Sequence, residues 1–186
     1  EFLPEDVLLV VDEAYSEYLE SKYRLNISTI IKNHQNLLVL KTFSKMYGIA
    51  GLRVGYAMGS EELISNLERA REPFNVNIIA QEAALASLED DEHIARSIKV
   101  NNEGMLYLKT EISKLGLKTY PSYANFLLVE FPVDATNIYE ELLKHGVIVR
   151  PLKNYNLLNC LRVTIGTREE NEKFLGALKK VLGSIK

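Results

Sequence analysis

Short apolar runs alternate with helix-like segments along this 186-residue chain, and this alternation is what most limits its fold. The strand-like runs occupy residues 7–11, 37–42, 53–58, 117–120, 125–131, 147–150 and 161–165. Helical patterns occupy residues 28–34, 60–72, 77–87, 91–115, 135–145 and 168–182, with Ser60 as an N-cap and Pro73 as a stop. The sequence therefore predicts an α/β fold made of packed layers.

The first strand is the continuous apolar run "VLLVV", residues 7–11. A run without polar alternation is typical of a strand that is buried on both faces of a parallel sheet. It begins within six residues of Glu1, and the chain does not start with Met. We therefore expect this sequence to be the C-terminal part of a longer polypeptide. The polar stretch "LEDDEH", residues 88–93, predicts a boundary between one domain over 1–90 and another over 91–186.

Composition excludes several functions. With 47% hydrophobic residues the chain can bury a sizeable core, and its net charge of −3 argues against a nucleic-acid or membrane-surface binder. No apolar run approaches the roughly 18 residues of a membrane span, so we expect a cytoplasmic protein. The single cysteine, Cys160, is expected in the core. The three histidines lack metal-ligand spacing, and no metal site is expected.

Reactive side chains follow the first two predicted strands. Asp12 and Tyr15 come after "VLLVV", and "KTFSK" places Thr42, Ser44 and Lys45 after the second strand. In open α/β sheets ligands bind at the carboxyl ends of strands, so these side chains are expected at one crevice.

Each of these residues also has a simpler interpretation. Asp12 could cap a helix or form an ion pair, and Lys45 could be a solvated lysine at a strand end. Arg53, which heads the third predicted strand, could likewise be a solvated side chain or part of the site.

Together, however, the side chains specify one chemistry. A deprotonated amine forms an imine with an aldehyde. Hydroxyls and a guanidinium bind a phosphate dianion. A buried carboxylate keeps a pyridine nitrogen protonated, and a nearby phenol bonds the ring oxygen. This set of partners is what pyridoxal 5'-phosphate requires.

The pattern D-x-x-Y, then "SKMYGIAGLRVG", then "LRVTIGT" closely resembles fold-type I aminotransferases, most nearly the histidinol-phosphate aminotransferases. The resemblance runs from about residue 7 to the last helix. It implies that the chain holds the C-terminal half of the large cofactor-binding domain, with a parallel or mixed sheet, and a smaller α/β C-terminal domain.

By this resemblance Lys45 corresponds to the lysine that forms the Schiff base and moves the proton during transamination. Asp12 resembles the residue that pairs with the pyridinium nitrogen, and Tyr15 the one that bonds the phenolic oxygen. The phosphate ligands of the family correspond to Thr42, Ser44 and Arg53.

Three residues resemble substrate-binding positions. Arg162 corresponds to the arginine that clamps the substrate carboxylate or its equivalent, and Arg150 to a position implicated in substrate-phosphate recognition. Arg150 could instead pair with a carboxylate. Asn125 resembles a position close to the substrate, but a turn-capping role is equally open.

The resemblance implies transamination between histidinol phosphate and glutamate, with 2-oxoglutarate as acceptor, by a homodimer in histidine biosynthesis. Two alternatives keep the cofactor: an aromatic or broad-specificity aminotransferase, and a threonine-phosphate decarboxylase. A third is a catalytically inert fragment that serves as an interaction module.

Overall fold

The computed structural model describes residue 4 and residues 6–184. The chain divides into two units, residues 1–95 and residues 96–186. Each unit contains its own sheet and its own helices. The α/β fold predicted from the alternating pattern is confirmed.

The first unit is built on a three-stranded mixed sheet. Its strands are β1 (Leu9–Asp12), β2 (Leu37–Thr42) and β3 (Gly55–Gly59), in the order β1-β2-β3. β1 runs parallel to β2, with Asp12 opposite Leu40. β3 runs antiparallel to β2, with Tyr56 opposite Lys41. The parallel pair brings the carboxyl ends of β1 and β2 to the same edge of the sheet.

Three helices of the first unit begin at polar caps, as the sequence indicates. They are α1 (Ile27–Asn33), α2 (Glu61–Ala70) and α3 (Ile78–Leu88). The Ser60 side chain accepts a hydrogen bond from the backbone N–H of Leu63, at 3.4 Å, which confirms the predicted N-cap. α2 ends at Ala70, three residues before Pro73, because a proline also disfavours helical geometry in the residue that precedes it.

The prediction that "VLLVV" is buried on both faces is wrong for this chain. Its residues from Val7 to Val10 are between 41% and 48% exposed. Among the described residues β1 is an edge strand paired only with β2. In central β2, by contrast, Leu37, Leu38 and Val39 are at most 8% exposed. An apolar run thus predicted the strand correctly, but the run alone does not determine what covers it.

The second unit is an antiparallel sheet packed with helices. Its strands are β4 (Lys118–Thr119), β5 (Phe126–Glu130), β6 (Arg150–Leu152) and β7 (Leu157–Thr164), in the order β4-β5-β7-β6. The long helix α4 (Asp91–Lys114) starts in the first unit and continues into the second, which also has α5 (Thr136–Lys144) and α6 (Arg168–Ser184).

The core of the second unit follows strand and helix periodicity. Leu127 and Val129 alternate along β5 with partly exposed residues and are fully buried. They pack in one cluster with Leu108 of α4, Leu161 of β7 and Leu178 of α6. Such a cluster supplies the main favourable term for folding of this unit.

Two strands of the second unit begin three or more residues from their predicted starts. The strand expected at 147–150 lies at Arg150–Leu152, and β7 begins at Leu157 rather than at 161. Cys160 lies inside β7 and is buried, so its predicted place in the core is confirmed. Burial raises the pKa of its thiol. Within residue 4 and residues 6–184, no helix is both long enough and apolar enough to cross a membrane.

We predict that Gly104→Ala lowers the free energy of unfolding by about 1–2 kcal/mol. A Cβ at this position in α4 would lie 2.6 Å from Ile165 Cγ2 and 2.9 Å from Asn171 Nδ2, so buried side chains must shift. Gly176→Ala in α6 is the matched control. A Cβ there meets nothing within 4 Å, and alanine should stabilise the helix by about 0.5–1 kcal/mol. Urea denaturation followed by circular dichroism tests both, and an unchanged or stabilised Gly104→Ala would contradict the close packing.

Candidate active site

The turn after β2 carries Lys45 between two buried side chains. Phe43 is 4% exposed and Met46 is 1% exposed, while Lys45 itself is partly exposed. Two backbone hydrogen bonds close the turn. The N–H of Gly48 donates to the carbonyl of Lys45 at 3.1 Å, and the N–H of Ile49 donates to the carbonyl of Phe43 at 3.2 Å. The buried anchors on both sides therefore hold the lysine in a defined position.

Thr42 ends β2, and Ser44 lies in the turn that follows it. The Thr42 hydroxyl oxygen accepts a hydrogen bond from the backbone N–H of Ser44, at 3.1 Å. This is the local side-chain-to-backbone bond that Thr commonly makes where a strand turns. Both hydroxyls lie within three residues of Lys45 in the sequence.

Asp12 ends β1, and its side chain is exposed. Its Oδ1 accepts a hydrogen bond from the backbone N–H of Ala14, at 3.0 Å. The expected buried carboxylate is therefore not seen in this chain, because β1 is an edge strand. Among the residues that the structure describes, Asp12 neither caps a helix nor forms an ion pair.

Tyr15 and Lys45 are brought together by the parallel pairing of β1 and β2. The ammonium nitrogen of Lys45 lies 5.4 Å from the centre of the Tyr15 ring, a cation–π distance. The two residues are thirty positions apart in sequence, and the segments that carry them leave the same edge of the sheet. An aromatic phenol and an amine thus share one site in the first unit.

Arg53 does not head β3, as the sequence suggested, because that strand begins at Gly55. It ends a short 3-10 turn with φ of 53° and ψ of 52°, in the left-handed region that residues other than glycine seldom occupy. Its guanidinium donates to the carbonyl of Ala50, at 2.7 Å, and reaches the Ser44 hydroxyl at 3.5 Å. The turn therefore brings the cation to the hydroxyls that follow β2.

The structure distinguishes the two lysines of "KTFSK". The Lys41 ammonium forms ion pairs with Glu13 and Glu17, at 3.2 and 2.8 Å. Burial alone would lower the pKa of Lys41, but the hydrogen bonds and charges of these two carboxylates outweigh it and leave the pKa raised. Lys45 has no ion pair among residue 4 and residues 6–184. Lys45 is therefore the amine that is left available for chemistry.

Lys41 and its partners were not among the predicted site residues. The signal was present in the spacing: Glu13 and Glu17 flank Tyr15 in "DEAYSEY", and a lysine sits on the neighbouring strand. Only the register of β1 against β2 shows that these charges meet.

In the second unit, Arg150 and Arg162 are direct partners across the β6–β7 ladder. Both line a cavity of about 540 Å³, together with Tyr139, Lys153 and Thr164. No ion pair involves either arginine in the described part of the chain, so the alternative that Arg150 serves a structural ion pair has no support. Lys153 is a third cation at this cavity, and it was not among the predicted site residues.

The Arg162 side chain is held by an aromatic ring and carries an unused donor. Its guanidinium carbon lies 5.0 Å from the centre of the Phe126 ring. Its Nε is buried and has no hydrogen-bond partner in the described residues. A buried donor without a partner is costly, so it is well suited to an anionic ligand.

Asn125 immediately precedes β5 and is not among the residues that line this cavity. Its backbone carbonyl accepts a hydrogen bond from Ile165 N, at 2.8 Å. Within residues 6–184 its side chain makes no hydrogen bond, so a turn-capping role has no support. Its predicted place near the substrate stays a prediction.

The family of aminotransferases of class I and II matches residues 1–178. The chain belongs to this family.

Two related proteins show where this aminotransferase chain lies within its family. A histidinol-phosphate aminotransferase from Moorella thermoacetica is 46% identical over 181 residues, which are 97% of this chain and 47% of that protein. The crystal structure of histidinol-phosphate aminotransferase from Sinorhizobium meliloti, in complex with pyridoxal-5'-phosphate, is 29% identical, with a TM-score of 0.91. The match covers 99% of this chain and 51% of that one. This aminotransferase chain thus spans about half the length of the curated relatives it matches.

A third protein shows how widely the fold is shared. The structure of L-threonine-O-3-phosphate decarboxylase from Porphyromonas gingivalis matches with a TM-score of 0.85 over 96% of this chain and 56% of that one, at 24% identity. This likeness shows a common fold and does not by itself separate aminotransferases from decarboxylases.

We predict that Arg53→Gly is more stable than Arg53→Ala by about 1 kcal/mol. Both variants lose the guanidinium, but only glycine adopts the left-handed backbone of this position without a steric penalty. Thermal or urea unfolding of the two variants measures the difference. Equal stability would mean that the turn relaxes to a negative φ when the arginine is removed.

Proposed function

We propose that the whole protein is a pyridoxal-phosphate-dependent aminotransferase that transfers an amino group between histidinol phosphate and 2-oxoglutarate. The observation that carries this proposal is the Lys45 amine. It lies in a turn between buried residues, 5.4 Å from the Tyr15 ring, with no ion pair in the described part of the chain. The identity with histidinol-phosphate aminotransferases supports the choice of substrate.

The side chains of the first unit fit the functional groups of the cofactor. The hydroxyls of Thr42 and Ser44 and the guanidinium of Arg53 would hold its phosphate, since charge-assisted hydrogen bonds to a dianion are strong. Asp12, whose carboxylate is exposed and makes no ion pair with any described residue, would hold the pyridine nitrogen protonated. Tyr15 would bond the ring oxygen. When bound, pyridoxal phosphate supplies an aldehyde for amine exchange and a ring that takes up electron density.

Lys45 would attach the cofactor and then move the proton. Its position in a turn fixed by Phe43 and Met46 keeps the amine at one place as it changes between these tasks. The ion pairs of Lys41 support the choice of Lys45 as the reactive amine, because an ammonium held by two carboxylates is a poor nucleophile.

The cavity of the second unit would bind the substrate phosphate. Arg150 and Arg162 lie side by side on neighbouring strands, and Lys153 adds a third positive charge. Two guanidinium groups suit a phosphate dianion better than a single carboxylate. This grouping favours a phosphorylated substrate over an aromatic amino acid.

We further propose that residues 1–90 belong to the large cofactor-binding domain and residues 91–186 to the small C-terminal domain. The whole enzyme would be a homodimer in the cytoplasm and would act in histidine biosynthesis. The resemblance of the motifs around Lys45 and Arg162 supports these assignments.

The first test is to incubate the purified chain with pyridoxal phosphate, reduce it with borohydride and map the modified peptide by mass spectrometry. We expect labelling at Lys45 and none at Lys41, because the latter is tied to two carboxylates. Lys45→Ala should abolish the label, with circular dichroism confirming that the variant is folded. Labelling spread over exposed lysines would contradict a built cofactor site.

The second test uses the whole enzyme and compares substrates. Arg150→Ala should raise KM for histidinol phosphate by about tenfold to a hundredfold, since a hydrogen bond to a charged group is lost. KM for phenylalanine should stay unchanged. Lys144→Ala, which removes an exposed cation of the same unit, is the control and should alter neither value.

Three outcomes with the whole enzyme would count against the proposal. An equal effect of Arg150→Ala on all substrates would remove this residue from phosphate recognition. Wild-type rates with phenylalanine that match those with histidinol phosphate would favour a broad-specificity aminotransferase. Release of carbon dioxide from threonine phosphate would favour a decarboxylase.

A further inference from the structure

A compact polar cluster surrounds the Lys41 ammonium group, next in sequence to residues of the proposed cofactor site. The proposed reaction does not use this cluster. Lys41 Nζ lies 2.5 Å from Ser16 Oγ, 2.8 Å from Glu17 Oε1 and 3.2 Å from Glu13 Oε2. The side chains of Lys41, Glu13 and Glu17 are only 15%, 9% and 13% exposed. Three acceptors thus share one ammonium that is shielded from water, where charge pairs are stronger than at the surface.

The acceptors alternate with residues of the proposed site. Glu13 directly follows Asp12, and Ser16 directly follows Tyr15. Fixing Glu13 and Ser16 therefore also limits the positions of their neighbours. Only Glu13, Ala14 and Tyr15 lie between β1 and the 3-10 turn that begins at Ser16.

The donor belongs to the other half of the site. Lys41 lies in β2 directly before Thr42 and four residues before Lys45. Successive side chains of a strand point to opposite faces, so Lys41 reaches Glu13 and Glu17 from the face opposite to Thr42. The ammonium group therefore joins the segment after β1 to the strand that leads into the lysine turn.

Backbone hydrogen bonds also hold the segment after β1, residues 13–19, at both of its ends. One backbone bond, from Glu13 N to Leu40 O at 2.9 Å, continues the ladder of β1 and β2. Arg24 supports the far end of the segment, where its guanidinium donates to the carbonyls of Glu17 and Leu19 at 2.8 and 2.9 Å. Between these two points, the Lys41 cluster links side chains of the segment to β2.

We propose that Lys41 is a positioning residue, which sets the place of Tyr15 relative to Lys45 through its bonds to Glu13, Ser16 and Glu17. Lys41 does not touch the cofactor in this role. Only the consequence of this role, the alignment of the Tyr15 phenol with the Lys45 amine, rests on the proposed function. The bonds from Lys41 to Glu13, Ser16 and Glu17 form a tether that can be measured without any cofactor.

The test is native-state hydrogen exchange on the chain, comparing wild type with Lys41→Met and Lys41→Arg. Three amides report on the segment: those of Ser16, Tyr18 and Leu19, which donate to the carbonyls of Glu13, Tyr15 and Ser16. In Lys41→Met we expect these amides to exchange about tenfold faster or more, because local opening no longer breaks the ammonium bonds. Lys41→Arg keeps the charge and should restore protection.

A matched control separates this effect from the loss of any surface charge. Lys22→Met lies in the same connection and breaks an ion pair with Glu20, but both side chains are more than 60% exposed. It should leave the three reporter amides unchanged. If Lys41→Met fails to fold, Glu17→Gln decides instead, since it removes one charge and keeps the side-chain shape. Faster exchange of the reporters in Glu17→Gln then supports the tether, and unchanged exchange overturns it.

The effect of Lys41 on the proposed cofactor site is measured by labelling with pyridoxal phosphate and borohydride. At equal folded fraction, Lys41→Met should reduce the label at Lys45 several-fold, and Lys41→Arg should restore it. Absence of label in the folded wild-type chain would count against cofactor binding by this chain alone, while the exchange data would still decide the tether. Reporter amides that exchange equally in Lys41→Met and wild type, or full labelling of Lys45 in Lys41→Met, would overturn the inference.

Discussion

The parallel pairing of β1 with β2 is the constraint on which the proposed cofactor site depends. It aligns Asp12 with Leu40, so the segments that follow both strands leave the same edge of the sheet. The polar residues after β1 and the lysine turn after β2 are therefore neighbours in space although they are thirty positions apart. An antiparallel pairing would send these segments to opposite ends of the sheet and leave no shared site.

The second unit uses a different kind of pairing to bring cations together. Its sheet is antiparallel, and the β6–β7 register sets Arg150 directly opposite Arg162. The repulsion between these two neighbouring cations is weakened by water, because Arg150 is exposed. Each unit thus builds its part of the chemistry from strand register, with reactive groups placed at strand ends or across a ladder.

Sequence reasoning succeeded where a signal is local. β2 was predicted at its observed bounds, Leu37–Thr42, and α2 begins at the predicted Ser60 cap. It failed where the outcome depends on neighbours. The apolar run of β1 gives no information about whether another element covers the strand, and the backbone of Arg53 is set by the turn that ends before β3. The candidate site residues were found from motif spacing, but the ion pairs of Lys41 were not.

By itself, the sequence determined the alternation of strands and helices, the family resemblance and the identity of the candidate residues, because these depend on residue type and short-range spacing. Tertiary structure alone decided which lysine is paired and which is available, since that choice depends on the register of two strands far apart in the chain. It also decided that Asp12 is exposed and that Lys153 joins the two arginines. These are properties of packing, and packing involves residues that no short sequence window contains.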